Sequence, residues 1–130
     1  FYNNSATGAT YAAGENIAYQ STLYNTATAD IVNNNGLITL SGGTTGKAYL
    51  VNYQVTGETA NDATLALAIN GTVDSNSEII PNSATGTSNG SYIVNVPANS
   101  TSTVALRVVS GTVTTASPTV GSYFSVIRIA

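Results

Sequence analysis

The chain has 130 residues, of which only nine are Asp, Glu, Lys or Arg, so 7% are charged and the net charge is −3, against about 25% charged in an average soluble domain. Lys47, Arg107 and Arg128 are its only cations, too few and too scattered to displace counterions from a nucleic acid or to hold an anionic lipid surface. It contains no Cys and no His, which removes disulfide staples, thiol nucleophiles, imidazole bases and His/Cys zinc sites.

Polarity comes instead from neutral groups, since Thr, Ser, Asn and Gly make up 61 of the 130 residues. Such a bias alone would fit disorder, which requires low hydrophobicity. Here 42% of residues are hydrophobic, and Val, Ile, Tyr and Thr recur in alternating runs that suit pleated strands. The length fits one domain with a core of its own. No apolar run reaches the roughly 18 residues that span a bilayer, and the sequence contains no signal peptide, so a leader or upstream region would have been removed ahead of Phe1; composition places the chain outside the cell.

Residues 1–16 are irregular and form either a first strand or an arm; the domain proper runs over 17–130. Turn signals follow at Asn34-Asn35-Gly36 and Ser41-Gly42-Gly43. Over 48–56, Tyr49, Val51, Tyr53 and Val55 point one way while Ala48, Leu50, Asn52 and Gln54 point the other. Over 63–70, Ala63, Leu65, Leu67 and Ile69 share a face, and Asn70-Gly71 predicts a tight hairpin. Asn89-Gly90 predicts another turn, ahead of a strand at 91–96 with Tyr92, Val94 and Val96 inward. Pro97-Ala98-Asn99 turns the chain into a strand at 103–109 carrying Val104, Leu106 and Val108, and Ser117-Pro118 precedes the last run, 120–129, which is apolar on both faces. No window keeps helical spacing. Strands spaced this way without helical crossovers predict an antiparallel sandwich or jelly roll.

Several strands have second faces that are neither charged nor strongly polar: Leu50, Asn52 and Gln54 in one, Ile93 in another, and Tyr123, Ser125 and Ile127 in the last. A lone sandwich wets such faces, so a large uncharged one predicts a subunit interface.

The last strand, Val120-Gly121-Ser122-Tyr123-Phe124-Ser125-Val126-Ile127, resembles the closing strand of the tumour-necrosis-factor and complement-q jelly-roll superfamily. Gly46-Lys47-Ala48-Tyr49-Leu50-Val51-Asn52-Tyr53-Gln54-Val55 resembles its central strand, Leu67-Ala68-Ile69-Asn70-Gly71 a hairpin strand, and Tyr92-Ile93-Val94-Asn95-Val96-Pro97-Ala98 a strand and turn. Within that superfamily the chain is most similar to the C-terminal domains of collagen-like bacterial spore-surface glycoproteins, the BclA type. The resemblance implies a ten-strand jelly roll and a compact homotrimer, with Leu50, Asn52, Gln54, Ile93, Tyr123, Ser125 and Ile127 lining the three-fold axis. No Gly-X-Y repeat precedes the domain here.

Other chemistry is thin. Gly42-Gly43-Thr44-Thr45-Gly46-Lys47 is similar to a phosphate-binding loop, but Ser41 stands where the first Gly belongs and Ala48 where the Mg²⁺-binding hydroxyl belongs, so a turn into a strand is expected. Glu15, Asp30, Glu58, Asp62, Asp74 and Glu78 offer no evident glycosidase pair. Asp74-Ser75-Asn76-Ser77-Glu78 begins like a calcium loop without its Gly or distal Glu, and reads as a solvated hairpin. Asn3-Asn4-Ser5, Asn70-Gly71-Thr72, Asn89-Gly90-Ser91 and Asn99-Ser100-Thr101 match the N-glycosylation sequon, as chance allows in a chain this rich in Asn and Thr. Most tyrosines alternate with Val or Leu and are expected in the core rather than on a sugar-stacking platform.

The expectation is therefore a non-catalytic structural domain of an extracellular or spore-surface fibre, without cofactor or metal, partnered by copies of itself. Two alternatives stand beside it: a filament subunit that polymerises by donating its N-terminal strand, and a jelly-roll module that binds surface glycans or a host receptor.

Overall fold

The computed structural model describes residues 9–20, 22, 25–80, 87–115 and 122–130. Eight strands are formed among them: β1 (Thr10–Ala12), β2 (Ile31–Asn34), β3 (Leu37–Ser41), β4 (Lys47–Ile69), β5 (Thr72–Val73), β6 (Thr87–Val96), β7 (Thr101–Thr115) and β8 (Tyr123–Arg128). A 3-10 turn at Ser75–Ser77 is the one helical element among the described residues. Every strand pairing is antiparallel.

β4 organises the molecule. Its first half pairs with β6 on one side and β8 on the other, making a three-strand front sheet. Its second half pairs with β7 and β5 in a back sheet that continues through β3 to β2. Between the halves the register with β7 shifts at Gly57/Thr59, Asn61/Thr64 and Thr64/Leu65. Such bulges bend and twist a strand, which lets one run serve two sheets. The resulting orders, β6–β4–β8 and β5–β4–β7–β3, place chain-distant strands side by side, the arrangement of a jelly-roll sandwich.

The core lies between the sheets. Tyr49, Val51, Tyr53 and Val55 of β4, Val94 and Val96 of β6 and Phe124 of β8 face Leu65, Leu67, Val104, Leu106, Val108, Ile38 and Leu40 from the back, all buried in one cluster. Ile17 and Tyr19 join it from the connection before β2, and Tyr19 tilts against Phe124 with ring centroids 5.5 Å apart. From Ala9 onward the N-terminal segment is a member of the back sheet. β1 pairs with Thr112–Thr114 of β7, and Gly14 and Ile17 then donate backbone N–H bonds to Val108 and Leu106 at 2.8 Å.

Two expectations change. The gap left between strands at 57–62 is absent, because β4 runs continuously for 23 residues; β7 follows the foreseen Pro97-Ala98-Asn99 turn from Thr101 and runs past 109 to Thr115. Asn89-Gly90 is not a turn: Asn89 pairs with Gln54 and Gly90 with Tyr53 inside β6. A Cβ on Gly90 would sit 2.6 Å from the Tyr53 ring, so this Gly admits a close aromatic neighbour rather than a reversal. β8 has β4 as its single strand partner among the described residues, so it ends the front sheet. The other Asn-Gly signals hold, with Asn35 and Asn70 both at φ 51° ahead of Gly36 and Gly71. The Ser117-Pro118 signal lies outside the described residues.

Candidate assembly face

In the front sheet, inward and outward residues alternate, and the registers set the outward ones in cross-strand rows. Ile93, Leu50 and Ile127 form one row, and Ser91, Asn52 and Ser125 the next. Beyond these come Asn89, Gln54 and Tyr123. All seven residues expected at an interface therefore share one face. Ile93 and Ile127 are each 52% exposed and Tyr123 42%, while Leu50, Asn52, Gln54 and Ser125 are half-buried between their neighbours.

Ile129 also belongs to this face, 49% exposed and set beside Ala48 by its N–H, which donates to the Ala48 carbonyl at 2.9 Å. Extending the alternation of β8 by two residues would have found it. One half of the face is thus aliphatic. The other half is amide and hydroxyl, where Ser91 Oγ donates to Asn52 Oδ1 at 2.6 Å. None of these outward residues is charged; the nearest cation, Arg128, pairs with Tyr49 on the opposite parity.

The back sheet contrasts with it. Part of its outward surface is a row of Ala66, Ala68 and Ala105, all buried, which ends at the exposed Val73 beside Ala68; Val32, Leu37 and Val109 are also exposed on its strands. Arg107, set beside Ala66 by the register, donates from Nε to Asn16 Oδ1 at 2.9 Å and from Nη1 to the Gly71 carbonyl at 3.1 Å. Small side chains and a tethered arginine thus cover the middle of that surface, while its apolar exposure is spread over separate strands. The front face has no such cover among the described residues.

The remaining candidate chemistry resolves into structure. Lys47 Nζ lies 2.6 Å from Asp30 Oδ1, both side chains mostly buried, and the Gly-rich loop before it packs on the β6–β7 turn. A Cβ on Gly42 would meet the Pro97 carbonyl at 1.8 Å, so the loop is a tight crossing of two connections. In the calcium-like stretch, Asp74 Oδ1 accepts from the Asn76 N–H at 2.9 Å, and Oδ2 accepts a short bond from the Tyr92 hydroxyl. Tyr92's bond, followed by those from Asn76, holds the Asp74 carboxyl below its ordinary value, and the same contact raises Tyr92. Both carboxylate oxygens are thereby engaged. No group of three or more acidic residues is placed to hold a metal among the described residues.

The tyrosines divide as alternation predicts. Tyr19, Tyr49 and Tyr53 are fully buried, and burial raises all three above the ordinary phenol value. Three open depressions of about 300 to 360 Å³ have no aromatic side chain among their lining residues. Among the described residues no helix is long and apolar enough to cross a membrane.

No family model matches the chain, and no curated protein matches it. It is similar to the solved structure described as CBM35 from Cellvibrio japonicus Abf62, at 12% identity and a TM-score of 0.42, over 96% of this chain and 91% of that one. At that distance function has to be argued from the residues themselves.

Proposed function

We propose that this chain is a non-catalytic structural domain of an extracellular fibre, of the spore-surface kind its sequence resembles, and that three copies associate through the β6–β4–β8 face. The observation that carries this reading is the uncharged outward surface centred on Ile93, Leu50 and Ile127, where the registers of three strands set aliphatic side chains in one row. Closed assembly brings identical residues toward one axis, so any charge there would meet its own copies. A face without charge suits self-association and offers nothing to steer a charged partner. Burial of the aliphatic half supplies the driving force at about 25 cal/mol per Å² of apolar surface, and the amide and hydroxyl half supplies directional bonds that set the register.

Light scattering on the purified chain, with electron microscopy of the same sample, tests it. A sharp mass of three chains, reduced to one by Ile93→Lys with Ile127→Lys, is the expected result. A monomeric parent chain at high concentration would sink the reading.

A filament is the second reading, favoured by a different feature. β6 is ten residues long, has no charge or Pro, pairs with β4 without a register shift, and has no partner on its other edge among the described residues. Long flat edges without such guards are templates for an added strand. Because β1 is already paired within its own chain, the donor would be residues 1–8 of a neighbour. Threads that vanish when 1–8 are deleted would favour this form over a closed trimer. The glycan- or receptor-binding reading rests on one exposed aromatic among the described residues, Tyr123; a monomer with reproducible glycan-array hits would revive it.

A further inference from the structure

Four sequons occur in the chain, and the structure sorts the three it describes. Asn70 has its side chain committed: Oδ1 accepts from the Thr103 N–H at 2.9 Å, and Nδ2 donates to Ser102 Oγ at 3.5 Å. Asn89 lies in the middle of the front sheet opposite Gln54, and the hydroxyl two residues on, Ser91 Oγ, is given to Asn52. Asn99-Ser100-Thr101 differs on each count. Asn99 stands exposed on the β6–β7 turn in the left-handed region at φ 58°. Its backbone N–H is anchored to the Gly43 carbonyl at 2.6 Å, and its side chain makes no hydrogen bond among the described residues. The hydroxyl of Thr101, exposed at the start of β7, is likewise uncommitted. The acceptor amide and the hydroxyl that must both be presented are therefore open at this sequon and engaged, or set within a sheet, at the other two.

We propose that Asn99 is an N-glycan acceptor. Asn99 Nδ2 attacks the anomeric carbon of a lipid-pyrophosphate-linked oligosaccharide; the C–N bond forms, the bond from that carbon to the pyrophosphate oxygen breaks, and one amide proton leaves. The position suits a glycan physically. Asn99 is at the end of the sandwich where the β3–β4 and β6–β7 connections cross, with Gly42 N–H on the Ser100 carbonyl at 2.9 Å. Asn99 lies on the turn beyond β6 and is not one of the outward residues of the Ile93–Leu50–Ile127 face, so this site is argued independently of whether that face associates. It also suits a chain with 7% charged residues, whose surface must be hydrated by neutral groups.

The test offers the folded chain, carrying Asn3→Gln so that only the three described sequons are read, to a single-subunit oligosaccharyltransferase of Asn-x-Ser/Thr specificity with its lipid-linked donor. Intact mass and peptide mapping give the site. The expected result is one glycan per chain, mapped to Asn99, lost in Asn99→Gly and in Thr101→Ala and kept in Thr101→Ser. Gly retains the left-handed turn, and circular dichroism verifies that each variant is folded. The urea-unfolded and diluted chain, with all three sequons open, shows that enzyme and donor are competent. No transfer to the folded chain under those conditions overturns the proposal, as does transfer to Asn70 or Asn89 with Asn99 bare.

Discussion

Tyr53 sits with its ring in the core while its hydroxyl donates to the Ser77 carbonyl at 2.6 Å. That bond fastens the front sheet to the 3-10 turn, and Ser77 Oγ continues the tie by accepting from the Leu67 N–H at 2.7 Å. Tyr49 fastens to the Ser41 carbonyl at 2.6 Å, and Tyr19 to that of Gln54 at 3.1 Å. In a chain without cysteines these phenols cross-tie strands and connections. Tyr53→Phe leaves the buried Ser77 carbonyl without its partner, so urea unfolding should show a loss of about 1–3 kcal/mol. Gly90→Ala presses a methyl group into the same ring, and overpacking of that kind costs about 1–3 kcal/mol. A Gly90→Ala chain as stable as the parent would mean that the Tyr53 ring yields easily.

At the scale of elements, β6 and β8 hold their inward residues for the core and their outward ones for the surface. Lysine at Ile93 or Ile127 should therefore leave the folded subunit within about 0.5 kcal/mol of the parent by urea unfolding at concentrations where only monomer is present. A collapse of monomer stability would show instead that these side chains serve the core. Period-two alternation made the parity of both strands legible beforehand, and with it all seven residues of the candidate face. It did not reveal where strands stop. Runs of Thr, Gly and Asn read as breaks around 57–62, yet pairing of β4 with β7 carries the strand through them, with bulges absorbing the mismatch. Asn89-Gly90 has the composition of a turn, and only its Tyr53 neighbour explains the Gly.

For the whole molecule, the ionisable groups set a stability window. Tyr19, Tyr49 and Tyr53 have folded values raised, chiefly by burial. Their contribution is therefore complete below the ordinary phenol value of about 10 and is lost as pH rises beyond it. The part of the tyrosinate absorbance that Tyr19→Phe, Tyr49→Phe and Tyr53→Phe each remove should accordingly appear together with the loss of β-sheet circular dichroism, not before it. Asp74 acts with the opposite sign. Its folded value is lowered from 3.8, first by the Tyr92 bond, so its contribution holds above about pH 4 and fades as pH falls through the lowered value. The stability difference between the parent and Asp74→Asn should be constant near neutrality and shrink in acid. A difference that stays flat across the acid range would show that the Tyr92 contact does not favour the ionised carboxyl.

Composition and alternation by themselves determined that this chain is an all-β sandwich, that it lacks the His and Cys chemistry of most active sites, and that Leu50, Ile93 and Ile127 point away from its core. They could do so because side-chain parity along a strand is local, decided by two-residue geometry. Only the tertiary structure decided that β4 serves both sheets, that Leu50, Ile93 and Ile127 become neighbours in one row, and that Asn99 alone among the described sequons is open. Those outcomes depend on which distant strands become neighbours, and that follows from packing the whole chain around one core.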